Sequence, residues 1–181
     1  MIGRADVIAI GPGLGQGEWG AMACAEAFAA GKPLVVDADA LNLLARHPQH
    51  REHWVLTPHP GEAGRLLNVS TAQIQAARAE AARELQLRYG GVALLKGAGT
   101  LVQGAELALC PYGNPGMGVG GMGDALSGII AALIGQNLPL ERAAQAGALA
   151  HALAGDHAAR GGERGLTPTD LIEALRGVVN P

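Results

Sequence analysis

Val7-Ile8-Ala9-Ile10-Gly11-Pro12-Gly13-Leu14-Gly15 is a four-residue apolar run that stops in a glycine-rich loop. The run has the length of a buried strand, and the loop supplies the sharp turn that leads from a strand into a helix. An alanine-rich stretch from Ala21 to Ala30 follows and ends at Gly31, ahead of Lys32 and Pro33. Helices commonly stop on such a glycine with a proline beyond it.

The same signals then repeat. Pro33-Leu34-Val35-Val36 reads as a strand entering Asp37-Ala38-Asp39, with a helix beginning over Ala40 to Ala45. Trp54-Val55-Leu56 reads as a third strand, entering Thr57-Pro58-His59-Pro60-Gly61-Glu62. Ser70 caps an expected helix from Thr71 to Tyr89. Val92-Ala93-Leu94-Leu95 is the fourth strand and runs into Lys96-Gly97-Ala98-Gly99-Thr100. A hairpin is expected next, Leu101 to Gln103 and Leu107 to Leu109, turning near Gly104. Helices are expected over Asp124 to Ile134, Leu140 to His157 and Asp170 to Leu175, the last capped by Thr167 or Thr169. Alternating strands and helices predict an α/β fold, a mainly parallel sheet sandwiched by helices. Ligands bind such sheets beyond the carboxyl ends of the strands, where the polar and glycine-rich loops gather.

Composition narrows the function. The 181 residues suit one domain, 1–181, with a sizeable core, and no repeat or linker interrupts them. Only 3% are aromatic and the formal net charge is -3. Neither suits a nucleic-acid binder, which needs stacking platforms and excess positive charge. No apolar run reaches the roughly 18 to 20 residues of a membrane helix, and no signal-peptide pattern opens the chain. Cys24 and Cys110 lack metal-site spacing, and the expectation is two reduced thiols in a cytoplasmic protein.

The loop Asn114-Pro115-Gly116-Met117-Gly118-Val119-Gly120-Gly121-Met122-Gly123-Asp124 carries the strongest chemical signal. Successive glycines let backbone amides approach an anion, and the following helix adds its positive end. Asp124 has two readings, a helix cap or a general base working beside a transferring phosphoryl group. Packed glycines before it favour the base. His59, framed by Pro58 and Pro60, is a candidate ligand contact. Lys96 is a candidate cation for a polyphosphate. Gly11 to Gly15 imitates a dinucleotide fingerprint, but its spacing is G-x-G-x-G and Pro12 lacks an amide.

Taken in order, GPGLG, VVDADALNLL, TPHPGE, LLKGAGT, NPGMGVGGMGD and GLTPTDLI resemble the ADP- or ATP-dependent NAD(P)H-hydrate dehydratases. In many bacteria these form the carboxy-terminal domain of the YjeF family. The resemblance implies a ribokinase-like fold, in which ADP (or ATP) phosphorylates the ring hydroxyl of the S epimer of hydrated NADH or NADPH. Loss of phosphate then restores NAD(P)H, with AMP as the other product of ADP. It implies that Lys96 to Thr100 and Asn114 to Gly123 line the nucleotide. Gly13, His59 and Asp124 would contact the hydrated dinucleotide, with Asp124 as base. Magnesium would accompany the nucleotide without a dedicated set of protein ligands. Family members are often tetramers, so a homo-oligomer is implied.

Family members carry a further stretch before the GPGLG strand, which holds part of the substrate pocket. Bifunctional members carry an epimerase domain before that. The chain is therefore expected to be an amino-terminally truncated domain that has lost substrate affinity more than nucleotide affinity. Three other readings stand beside this one. The first is a ribokinase-like small-molecule kinase, and the second an inactive nucleotide-binding fragment. The third is a Rossmann domain using Gly11 to Gly15 and Asp37.

Overall fold

The computed structural model describes residues 2–180. Six strands form one sheet in strict chain order: β1 (Ile8–Ile10), β2 (Leu34–Val36), β3 (Trp54–Leu56), β4 (Val92–Leu95), β5 (Thr100–Gln103) and β6 (Leu107–Cys110). The first four are parallel, with Leu34 beside both Ile8 and Trp54, and Leu56 beside both Val36 and Ala93. β5 and β6 return as the expected antiparallel hairpin. β2, β3 and β4 are buried at every position, which is why they read as unbroken apolar runs. β1 lies at the edge and is only partly covered, with Ala9 exposed.

Right-handed crossovers in a steadily advancing sheet put every connecting helix on the same face. The helices α1 (Glu18–Ala29), α2 (Ala38–Arg46), α3 (Pro60–Leu67), α4 (Thr71–Ala76) and α5 (Arg78–Tyr89) obey this rule. Their Phe28, Leu41, Leu44, Leu66 and Leu85 share one core with Val36, Trp54, Leu56 and Leu95 of the sheet. The opposite face carries the alternate side chains Val35, Val55, Leu94 and Val102. It is covered by α6 (Met122–Gly135) and α7 (Leu140–Ala158), through Leu126, Ile130, Ala144 and Ala148. Small residues bring these two helices close: a Cβ on Gly147 would lie 2.6 Å from Ile130 Cγ1. α8 (Pro168–Val178) packs on both through Met122, Ala154, Leu166 and Leu171. Among the described residues no helix is long and apolar enough to cross a membrane.

The structure corrects three sequence expectations and decides a fourth that was left open. The single helix expected over Thr71 to Tyr89 is two, broken at Ala77, whose φ of -139° is not helical. TPHPGE is not wholly loop, because Pro60 begins α3. α6 begins at Met122, so Gly123 and Asp124 lie inside its first turn. The cap of α8 is Thr167, which exchanges hydrogen bonds with Asp170 in a capping box.

Candidate nucleotide and substrate site

The loops after β1, β2, β3, β4 and β6 line one edge of the sheet, and a buried ion pair joins them. Asp37, at the end of β2, is almost wholly buried. Its Oδ1 accepts from Lys96 Nζ at 2.7 Å and its Oδ2 from Ser127 Oγ of α6 at 2.9 Å. Lys96 Nζ also lies 3.8 Å from Glu62 Oε2. The glycine loop meets this cluster directly. A Cβ on Gly123 would sit 3.1 Å from Lys96 Nζ and 3.5 Å from Asp37 Oδ2. Lys96, singled out as a cation for a polyphosphate, thus stands between two carboxylates.

His59 caps α3. Its Nδ1 accepts from the amides of Gly61 (2.9 Å) and Glu62 (3.4 Å), while the Glu62 carboxylate accepts from the His59 amide at 2.7 Å. A ring nitrogen that accepts carries no proton, so the neutral ring holds its proton on Nε2. Burial lowers the pKa of this imidazole, against an opposing pull from Glu62, and Lys96 and Arg65 add to the lowering. Half of the side chain still meets solvent. His59 therefore offers a donor rather than a base.

The first loop is set by contacts that sequence reading overlooked. Gly11 has φ +130°, and a Cβ there would fall 1.7 Å from the Asp37 carbonyl oxygen. The Asp39 carboxylate accepts from the Gly15 amide (2.9 Å) and from Gln16 Nε2 (3.0 Å). Gly13, at φ +64°, faces open space. A Rossmann site would need Asp37 free for a ribose, and here Lys96 and Ser127 occupy it.

The glycine-rich loop is anchored at both ends. Asp156 of α7 accepts from the Gly113 amide and from Asn114 Nδ2, each at 3.0 Å. Asn114 Oδ1 is buried without a partner among the described residues. Gly121 takes φ +89° as the N-cap of α6, and a Cβ there would meet Pro168 Cγ of α8 at 2.9 Å. This contact seats the start of α8 against the end of the glycine-rich loop. His151 of α7 donates from Nε2 to the Met122 carbonyl at 2.9 Å. Burial lowers its pKa.

The start of α6 receives no side-chain cap. Asp124, its third residue, is exposed and has no hydrogen-bond partner among the described residues. Of its two readings, the helix cap is therefore absent. What remains is a carboxylate beside uncapped amides, at the positive end of a 14-residue helix. The loop Lys96 to Thr100 follows β4, with Gly97 and Gly99 at φ +139° and +68°. Arg78, outside every motif, donates to its carbonyls. The periodicity of α5 gives no sign of this, because the partners are 17 or more residues away.

A sheet that advances in chain order, closed by a hairpin and a glycine-rich loop opening onto an acidic helix start, defines a ribokinase-like α/β protein. More closely, the chain belongs to the NAD(P)H-hydrate dehydratase family, whose model matches residues 1–176. It is 52% identical over 184 residues to the bifunctional NAD(P)H-hydrate repair enzyme Nnr of Coxiella burnetii, covering 100% of this chain and 38% of that protein. A ribokinase-like superfamily protein of Enterococcus faecalis superposes with a TM-score of 0.87 at 30% identity, over 99% of this chain and 64% of that one. The ADP/ATP-dependent NAD(P)H-hydrate dehydratase of Bacillus subtilis, co-crystallised with ATP/Mg2+, gives 0.85 at 29% identity, over 97% and 64%. The chain spans little more than a third of the length of the bifunctional relatives it matches.

Proposed function

We propose that residues 1–181 act as one catalytic unit that dehydrates the S epimer of hydrated NADH or NADPH at the expense of ADP, or of ATP. The observation that carries this reading is Asp124, exposed and uncapped where the glycine loop meets α6. Lys96 to Thr100 and Asn114 to Gly123 would cradle the nucleotide. Gly13, His59 and Asp124 would face the hydrated nicotinamide, His59 as an Nε2–H donor.

Asp124 takes the proton of the ring hydroxyl as that oxygen bonds to the terminal phosphorus of ADP. The bond from that phosphorus to the bridging oxygen breaks, and AMP leaves. Amides of the loop and of the first turn of α6 stabilise charge on the phosphoryl oxygens. The ring carbon–oxygen bond then breaks, its electron pair going to the phosphate, and the neighbouring ring carbon gives up its proton to that phosphate. Phosphate departs and the dihydronicotinamide is restored.

Among the described residues no three His, Cys, Asp or Glu side chains gather as a metal site. Magnesium takes phosphate and water oxygens with few carboxylates. Nucleotide phosphates beside Asn114 to Gly123 would hold it, and when bound it would neutralise phosphate charge.

The test is absorbance at 340 nm with the S epimer of hydrated NADH, ADP and magnesium. Recovery that requires the nucleotide supports the reading. A stable phosphate ester of the substrate, with no recovery, would mark a kinase instead.

A further inference from the structure

Arg78 opens α5 just after the break at Ala77 and turns its guanidinium under the loop that follows β4. Nη2 donates to the carbonyls of Leu95 (3.3 Å), Lys96 (3.4 Å) and Gly99 (3.1 Å), and Nη1 to the Lys96 carbonyl (3.4 Å). A Cβ on Gly97 would lie 2.9 Å from Nη1, so the glycine leaves room for this side chain. The N–H of a trans peptide points opposite to its carbonyl. Drawing these carbonyls to one side turns the amides that follow them to the other. The Lys96 amide is already bonded to the Pro58 carbonyl. The Gly97 amide is thereby aimed away from Arg78, and Gly97 and Gly99 take positive φ on either side of Ala98, a conformation that only glycine adopts readily.

Charge points the same way. Lys96 is compensated by Asp37 at 2.7 Å and faces Glu62 at 3.8 Å. Among the described residues Arg78 has no carboxylate within ion-pair distance, and its remaining partner is the neutral Gln75.

We infer that Arg78, rather than Lys96, supplies the net positive charge at the loop Lys96 to Thr100 and sets its amides for a phosphate group. Arg78 is thus a positioning residue for the nucleotide. This rests on the nucleotide site proposed above. An ammonium replaces its guanidinium only in part, because a point charge keeps the charge but lacks the fork that gathers several carbonyls.

The experiment is calorimetric titration of the chain with ADP and with adenosine, in the native sequence, Arg78→Gln and Arg78→Lys, each checked for cooperative thermal unfolding. Arg78→Gln weakens ADP by about tenfold or more while adenosine changes by less than about threefold, as loss of a charge-assisted contact requires. Arg78→Lys falls between the two. Equal weakening of both ligands, or undiminished ADP affinity in a folded Arg78→Gln chain, overturns the inference. If Arg78→Gln does not fold, Arg78→Lys decides: selective loss of ADP upholds the inference, and equal loss or none overturns it. A native chain that binds no ADP removes the nucleotide site itself, which the first titration shows separately.

Discussion

Lys96 and Asp37, 59 residues apart in sequence, meet at 2.7 Å beneath the glycine loop. With the Asp37 side chain 1% exposed and Lys96 19%, removing one partner strands the other in a poorly hydrated place. Asp37→Asn is expected to cost about 3 kcal/mol in urea unfolding. Lys96→Met costs a similar amount, and the double variant costs less than their sum by about 1 kcal/mol or more. Strict additivity would mean the pair is not coupled.

Asp124→Asn separates chemistry from stability. The side chain is exposed and makes no hydrogen bond among the described residues, so the melting temperature holds. Turnover at 340 nm falls by about a hundredfold or more, the contribution of a positioned base. A variant with native turnover would remove Asp124 from the mechanism.

Two glycines of the first loop behave differently. Gly11→Ala drives a methyl into the Asp37 carbonyl and is expected to destabilise by more than about 4 kcal/mol, measured as a loss of cooperative unfolding. Gly13→Ala meets open space and bears only the left-handed backbone cost, about 1–2 kcal/mol. It folds, and its defect appears as a raised KM for the hydrated dinucleotide.

Stability falls on mild acidification. The pKa values of His59 and His151 are lowered in the folded chain, so above the ordinary histidine value of 6.5 both rings are neutral and their contribution is complete. As pH drops below that value the unfolded chain takes up protons first, and stability is lost until the folded rings titrate as well. Melting curves between pH 7.5 and pH 5, in the range of histidine titration, show this decline. His59→Asn keeps an N-cap acceptor but cannot titrate, and is expected to flatten part of the slope. An unchanged slope would assign the whole effect elsewhere.

The strands, the hairpin and the glycine-rich loops were legible because buried parallel strands and glycine loops announce themselves locally. β2, β3 and β4 needed no tertiary information. The break at Ala77 did, since neither glycine nor proline marks it and alanine favours helix. Immediately after it, Arg78 reaches loop carbonyls across the fold. The Asp37 partner of Lys96 was hidden for the same cause, as was Asp156, which holds Asn114 from 42 residues away. Pro60 read as part of a rigid loop because a proline frames a turn and opens a helix with equal ease.

Strands that neighbour each other in space also follow each other in the chain. During synthesis each new strand emerges with its partner already made, and α1 to α5 cover one face as it grows. Among the described residues the other face, with Val35, Val55, Leu94 and Val102, is covered by α6 and α7. A nascent chain stalled before residue 122 therefore presents an apolar, uncovered sheet face to the cell, a natural client for chaperones.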